Sequence, residues 1–152
     1  FRGIHRRFER VYEDESLIVV DDYAHHPTEL KSALAAAREL FPTRKLQVVF
    51  QPHLYSRTRD FYREFGAILS DTDDVTLIHI YPARELSIPH VTSDLVFQQV
   101  RHSQKRLIGL EEMPAVVSGA LTSEPTVLLI LGAGDIDTQI EPLKQTLERQ
   151  RN

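Results

Sequence analysis

The 152-residue sequence contains no cysteine. It therefore has no disulfide framework and no thiolate metal site, and we expect a cytoplasmic protein. The longest apolar run, at 127–131, is far shorter than the roughly 20 residues that a membrane helix needs. No signal peptide is recognisable. We expect no membrane partner.

Several catalytic and binding motifs are also missing. None of the six glycines begins a GxxxxGK[ST] run, so the sequence has no Walker A phosphate loop. There is no GxSxG nucleophile elbow and no thiol nucleophile. The formal net charge is -4, without the basic bias that is typical of a nucleic-acid surface. These absences argue against a self-contained catalytic apparatus and against a nucleic-acid partner.

What is present indicates a globular domain. Hydrophobic residues make up 41% of the sequence and charged residues 26%, both ordinary values for a soluble globular protein. The length suffices for one domain with a core, and we interpret residues 1–152 as one domain. The sequence begins at Phe1 without methionine and enters a structured-looking segment at once. We interpret it as a fragment of a longer protein or as a trimmed form.

Strand-like apolar runs alternate with helical patterns along the chain. The predicted strands are 8–13, 17–20, 46–50, 75–81, 106–110 and 126–131, and the predicted helices are 28–41, 58–69, 94–102, 114–121 and 136–149. Pro27 suits the first turn of the first helix, and Ser93 is a candidate cap for the third. The alternation predicts an α/β domain, with a largely parallel sheet and helices on both faces.

Polar residues follow four of the predicted strands. They are Asp21-Asp22-Tyr23, Gln51-Pro52-His53, Tyr81-Pro82-Ala83-Arg84-Glu85 and Gly132-Ala133-Gly134-Asp135. The carboxyl ends of parallel strands meet at one rim of a sheet, where ligands bind in open α/β folds. We therefore expect these four loops to converge on one crevice.

The first of these loops allows several interpretations. Asp21 or Asp22 could accept hydrogen bonds from a ribose or hold a cation, or could bond its own backbone in a turn. His25 and His26 are possible metal ligands, and His25 has helical i, i+4 spacing to Glu29. No HExxH motif and no full ligand set accompanies them. We predict no metal site.

Two arginines follow the second loop, where a helix is predicted to begin. The guanidinium group of Arg57 or Arg59 could bind a carboxylate or a phosphate with two parallel hydrogen bonds. The alternative is a solvated arginine that pairs with Asp60 or Glu64, which contributes little to stability.

The last loop, Gly132-Ala133-Gly134, resembles the opening of a dinucleotide-binding fingerprint. However, Asp137 stands where the third glycine belongs, and the motif comes last in the chain. A turn with close packing is the favoured interpretation.

These segments resemble the carboxyl-terminal domain of the Mur ligases, in particular the alanine-adding type. Residues 21–29, DDYAHHPTE, resemble the signature that opens this domain. The segments 1–3 with 6–8, 49–53 with 55–59, 81–85 and 131–136 resemble further family segments in the same order. Leu54 departs from the pattern, because many members carry arginine there. A substrate contact of that arginine must be absent or supplied from elsewhere, and Arg57 and Arg59 remain.

The resemblance implies a three-layer αβα, Rossmann-like fold whose six-stranded sheet is mostly parallel with one antiparallel strand, for which 8–13 is the candidate. It also implies a three-domain enzyme, of which this chain is the third domain. The enzyme would join L-alanine to UDP-N-acetylmuramate in peptidoglycan precursor synthesis, with ATP forming an acyl phosphate. ATP and Mg²⁺ would be bound mainly by the missing central domain. The domain alone would be inactive.

The resemblance also implies residue roles. The cofactor-binding residues would be Asp22 at the ATP ribose, Tyr23 and His25; the catalytic residues His53 and Arg57; and the substrate-binding residues Tyr55 and Arg59. An arginine suits a position facing L-alanine and the reacting phosphate, since it steadies a carboxylate and developing negative charge. Two alternatives remain: a murein peptide ligase domain and a non-catalytic nucleotide-binding module.

Overall fold

The computed structural model describes residues 7–151 as a six-stranded sheet with helices on both faces. The strands are β1 (Glu9–Glu13), β2 (Leu17–Asp22), β3 (Lys45–Phe50), β4 (Asp74–Ile78), β5 (Lys105–Ile108) and β6 (Thr126–Leu131). Their order across the sheet is β1-β2-β6-β3-β4-β5. The first six residues, part of which carries the family resemblance, lie outside the described residues.

The sheet confirms the predicted fold class. Strand β1 runs antiparallel to β2, and the other neighbouring strands are parallel. Strand β6 lies between β2 and β3, with Leu129 opposite both Val20 and Val48. All six of its residues are buried, as expected for a central strand covered on both faces.

Within residues 7–151, five α-helices form the two outer layers. They are α1 (Pro27–Leu40), α2 (Tyr55–Leu69), α3 (Asp94–Gln99), α4 (Met113–Gly119) and α5 (Ile140–Arg151), with 3-10 turns at Leu110–Glu112 and Asp135–Gln139. One apolar cluster joins α1, α2 and α3 to the sheet, and a second joins α4 and α5 to its other face. No helix within residues 7–151 has the length and apolar character to cross a membrane.

Strand β4 and helix α3 are shorter than predicted, and Ser93 is not a side-chain cap. The Ser93 hydroxyl donates to the backbone oxygen of Ile78 at 2.7 Å, and β4 ends at that residue. At the other end of α3, the Lys105 ammonium donates to the backbone oxygens of Phe97 and Val100, both at 2.9 Å. These bonds satisfy terminal carbonyls, so α3 ends at Gln99 rather than at residue 102.

Helix α2 begins three residues before the predicted start, at Tyr55. The last helix, in turn, is divided. A 3-10 turn covers Asp135–Gln139, and the α-helix follows from Ile140. The fourth helix begins at Met113 and ends at Gly119 rather than at residue 121.

Candidate functional site

The four predicted loops meet at the carboxyl edge of the sheet. Because β6 separates β2 from β3, the turn that begins at Gly132 lies between the loops after those two strands. The Gly132 amide donates to the oxygen of Asp22 at 3.3 Å, and the Gln51 amide to the oxygen of Leu131 at 3.0 Å. The Tyr81 amide donates to the oxygen of Pro52 at 2.9 Å. These bonds join all four loops into one surface.

A row of four aromatic rings runs across this edge. The ring centroids of Tyr23 and His25 are 5.4 Å apart, those of His25 and His53 are 5.5 Å apart, and those of His53 and Tyr81 are 5.4 Å apart. We call these four side chains the ring row. It brings together three of the predicted site residues from two different loops.

The surroundings of His53 favour the neutral form of its imidazole. Burial lowers its pKa from the ordinary value of 6.5, and the nearby His25 and Arg57 lower it further, against the opposing effect of Glu85. Its Nδ1 atom is buried and has no hydrogen-bond partner among the described residues. A buried ring nitrogen without a partner is costly, so this atom is a candidate contact for a bound group.

The two arginines of the second loop differ in environment. Arg57 lies in the first turn of α2, and its Nη1 atom is buried without a hydrogen-bond partner in the part of the chain that the structure describes. Arg59 lies on the exposed side of the helix and pairs with Asp60, with Nε and Oδ1 at 2.9 Å. Arg57 is thus available to an anion at the sheet edge, whereas Arg59 matches the solvated alternative.

Leu54 joins His53 to α2 through an unusual backbone conformation. Its φ is +74°, a region that non-glycine residues adopt rarely. Its amide donates to the oxygen of Tyr81 at 2.8 Å, and its oxygen accepts the hydroxyl of Thr58 at 2.8 Å. The position thus serves the turn through its backbone, and Arg57 supplies a cation nearby.

Glu85 contacts the start of α2 from the loop after β4. Its Oε1 accepts the Ser56 amide at 3.1 Å, and its Oε2 accepts the Ser56 hydroxyl. These bonds, with a further one from the Tyr55 amide, hold the pKa of Glu85 below its usual value. No pattern in the sequence predicts a role for Glu85, because its partner Ser56 lies 29 residues away along the chain.

Asp22 fixes the local backbone with both carboxylate oxygens. Oδ1 accepts the Ala24 amide and Oδ2 the Phe8 amide, each at 2.8 Å. Burial raises the pKa of Asp22, although the two amides oppose that effect. Asp22 and Tyr23 also line a cavity of about 480 Å³ beside the start of α1. Both the turn interpretation and a ligand contact are compatible with this geometry.

The histidine pair lies at the start of α1 and shows no metal-site arrangement. The Glu29 carboxylate accepts the amides of His25 and His26, both at 3.1 Å, so it caps α1. The His25 ring lies 2.9 Å from the oxygen of Tyr23, and the His26 ring packs on Phe61. Within residues 7–151, no three histidine or carboxylate side chains are grouped to hold a metal ion.

The glycine turn after β6 is a close-packing turn, as the sequence favoured. A Cβ atom at Gly134 would lie 2.4 Å from the Tyr81 ring, and one at Gly132 would lie 3.2 Å from the oxygen of Gln51. The buried Gln51 side chain bridges this turn by donating to Asp135 at 2.8 Å and accepting from the amide of Ile136 at 3.1 Å. The glycines therefore let the ring row pack against the sheet.

Comparison with known proteins places this geometry in a family. Residues 6–134 match the family model described as Mur ligase, glutamate ligase domain. Over 148 residues the chain is 47% identical to the UDP-N-acetylmuramate–L-alanine ligase of Porphyromonas gingivalis, covering 97% of the chain and 32% of that relative. The chain thus spans about a third of the length of the curated relatives it matches.

Solved structures agree with this comparison. A UDP-N-acetylmuramate–alanine ligase from Thermotoga maritima superposes with a TM-score of 0.78 at 28% identity, over 99% of this chain and 32% of that one. A murein peptide ligase from Psychrobacter arcticus superposes with a TM-score of 0.73 over 97% of this chain and 31% of that one. The second match is 16% identical and shows the fold alone.

Proposed function

The chain belongs to the Mur ligase family and matches the family's glutamate ligase domain. From this we propose that the chain is the carboxyl-terminal domain of an ATP-dependent ligase that adds L-alanine to UDP-N-acetylmuramate. The observation that carries the proposal is the unpaired, buried guanidinium nitrogen of Arg57, in the first turn of α2 and next to His53 in the site. A buried guanidinium group with an unpaired N–H is suited to bind an anion. Both the alanine carboxylate and the acyl phosphate are anions.

The reaction requires an amine nucleophile and stabilisation of negative charge. The alanine amine attacks the acyl carbon, the carbon–oxygen bond to phosphate breaks, and inorganic phosphate leaves with the electron pair and takes up the proton that the amide nitrogen gives up. The ammonium form of alanine must lose a proton to become a nucleophile. The neutral form of His53, which its surroundings favour, can accept that proton. Arg57 steadies the alanine carboxylate or the charge that develops on the phosphate. In the same site we propose Tyr55 as a substrate contact.

The nucleotide would lie at the end of the ring row that Tyr23 forms. Asp22 and Tyr23 line the 480 Å³ cavity, and His25 stands between them and His53. A carboxylate has more acceptor sites than the two backbone amides of Ala24 and Phe8 occupy. We propose that the remaining sites of Asp22 accept a ribose hydroxyl of ATP, while Tyr23 and His25 contact the nucleotide.

The phosphates and Mg²⁺ require groups from elsewhere. The sequence has no Walker A loop, and among residues 7–151 no cluster of three or more carboxylate or imidazole side chains is arranged to hold a metal ion. We propose that a central domain supplies the phosphate loop and that an amino-terminal domain binds the sugar nucleotide. On this proposal the chain alone has no ligase activity.

The test reconstitutes the enzyme. This chain is fused to, or mixed with, the two other domains of the ligase, and ADP release is measured with UDP-N-acetylmuramate, ATP and L-alanine. We expect release that depends on L-alanine and that Arg57→Ala strongly reduces. Activity no greater than that of the other two domains alone contradicts the proposal.

Two further arms separate the alternatives. Replacing L-alanine with a tripeptide acceptor tests for a murein peptide ligase, and faster turnover of the tripeptide contradicts the alanine assignment. ATP binding by the chain alone tests for a stand-alone nucleotide module. A ligase third domain forms only part of the nucleotide site, so micromolar or tighter binding by the chain alone favours the module.

A further inference from the structure

Helix α2 lacks a capping side chain of its own. The first amides of a helix have no partner within it, and a polar residue at the N-cap usually supplies an acceptor. The N-cap of α2 is Leu54, whose side chain cannot accept a hydrogen bond and whose φ is +74°. Its first amides are therefore left to water or to an acceptor from another part of the fold.

Glu85 supplies it from the loop after β4. Both of its carboxylate oxygens bond to Ser56, one to the amide and one to the hydroxyl, and the Tyr55 amide adds a further bond. The same loop reaches α2 a second way, because the Leu54 amide donates to Tyr81 and His53 pairs with Tyr81 in an isolated parallel bridge. The start of α2 is thus tied to this loop at two points.

The residues that we place in the reaction flank these two tied points. His53 comes directly before Leu54, and Arg57 directly after Ser56. No ion pair joins Glu85 to Arg57 within residues 7–151. Glu85 therefore holds the backbone of the turn while the Nη1 atom of Arg57 stays without a partner. A carboxylate on the amides at a helix start also has a favourable interaction with the helix dipole.

We propose that Glu85 is a positioning residue for the ligase reaction. By capping the first turn of α2 it fixes where Arg57 and His53 lie relative to the incoming amino acid. This inference rests on the proposed function, since it needs a reaction at Arg57. A misplacement of about 1 Å in a site can cost roughly 100-fold in rate, so loss of the cap affects turnover even when the fold survives.

The test uses the complete ligase with three variants. Glu85→Ala removes the cap, whereas Glu85→Gln keeps an acceptor oxygen for the Ser56 amide and a group that can bond the hydroxyl. Glu112→Ala is the matched control, because Glu112 caps a different helical turn by accepting the Gly109 amide at 3.0 Å. Steady-state kcat and KM are measured separately for L-alanine and for ATP, and thermal unfolding is recorded for each variant.

We expect Glu85→Ala to lower kcat/KM for L-alanine by about 10- to 100-fold with little change in KM for ATP. Glu85→Gln should recover most of the loss, and Glu112→Ala should leave both constants near those of the parent enzyme. Unchanged constants for L-alanine in a folded Glu85→Ala enzyme overturn the inference, as does a rise in KM for ATP as large as the fall in kcat/KM for L-alanine. If Glu85→Ala does not fold, the Glu85→Gln enzyme provides the test. A folded Glu85→Gln enzyme whose kcat/KM for L-alanine is as low as that of Arg57→Ala overturns the inference. A parent enzyme that shows no alanine-dependent ADP release refutes the proposed function instead.

Discussion

The imidazole rings of His25 and His53 lie 5.5 Å apart, although the two residues follow strands that are not neighbours in the sheet. Strand β6 lies between those strands, and its turn begins with Gly132. A Cβ atom there would lie 3.1 Å from Ile136 and 3.2 Å from the oxygen of Gln51. The small residue after the intervening strand thus helps the two loops to pack together over it.

Protonation of His53 should destabilise the fold. Its folded pKa lies below the ordinary value of 6.5, so below that pH the unfolded chain binds the proton more readily. The free energy of unfolding should therefore decrease as the pH falls from about 6.5 towards the folded pKa, and His53→Gln should weaken this dependence. Denaturant unfolding at several values between about pH 5 and pH 8 measures it. His79→Gln, at an exposed histidine outside the ring row, is the control. Identical pH dependence in the parent chain and in His53→Gln contradicts the prediction.

Arg57 and Arg59 should differ in their effect on catalysis. A hydrogen bond to a charged group contributes about 1.5–3 kcal/mol, so Arg57→Ala should lower kcat/KM for L-alanine by roughly 10- to 100-fold in the complete ligase. Arg59→Ala should change it by less than about threefold, because that side chain is exposed and already paired with Asp60. Steady-state ADP release with varied L-alanine compares the two. A larger loss from Arg59→Ala contradicts the assignment.

Gly134→Ala should destabilise the site edge. The added Cβ would lie 2.4 Å from the Tyr81 ring, so either the ring or the turn must shift. Overpacking of this kind typically costs about 1–3 kcal/mol of unfolding free energy. Gly119→Ala is the matched control, because nothing lies within 4 Å of its added Cβ. Chemical denaturation of both variants measures the difference, and equal stabilities contradict the described packing.

The Asp14 carboxylate, at the opposite edge of the sheet from the site, should contribute to the free energy of unfolding. Asp14 accepts hydrogen bonds from Arg151 at 2.6 Å and from Tyr12 at 2.7 Å, and this environment holds its pKa far below the usual 3.8. Asp14→Asn should therefore reduce the unfolding free energy by about 1–3 kcal/mol near neutral pH. The contribution is present above pH 3.8 and is lost as the pH falls through the folded pKa, so the difference between parent and variant should shrink in acid.

The control for this prediction is Arg149→Ala. Arg149 lies two residues before Arg151 in α5, and its side chain bonds to Thr146 within its own helix. Thermal and denaturant unfolding of both variants over a pH series provide the test. A loss from Arg149→Ala as large as that from Asp14→Asn shows that the link between α5 and the β1–β2 turn is not the cause.

The alternation of apolar runs predicted the layers, the parallel sheet and the convergence of the four loops. The element ends were less predictable, because they depend on partners that are distant along the chain. Strand β4 ends where Ser93 bonds Ile78, and α2 begins where Glu85 meets Ser56. Patterns among residues close in sequence cannot predict these two long-range contacts, so they could not predict where β4 ends and α2 begins.

The site was predictable to a similar degree. The motifs singled out Asp22, His25, His53 and Arg57, and the structure places them in loops at the same edge of the sheet. Spacing alone did not distinguish Arg57 from Arg59, since burial and the pairing with Asp60 make that distinction. Their roles in binding and catalysis stay predictions.

The place of β6 in the sheet also constrains the order of assembly. It is the last strand along the chain, yet it is the only hydrogen-bonded link between β2 and β3 within the described sheet. While a ribosome is still making residues 126–131, these two earlier strands have no common neighbour, and the loops that carry His25 and His53 have no support to bring them together. Pairings between distant segments form slowly, because the long loop must be closed first. The ring row is therefore completed late in biosynthesis, and a nascent chain released before residue 126 would lack it.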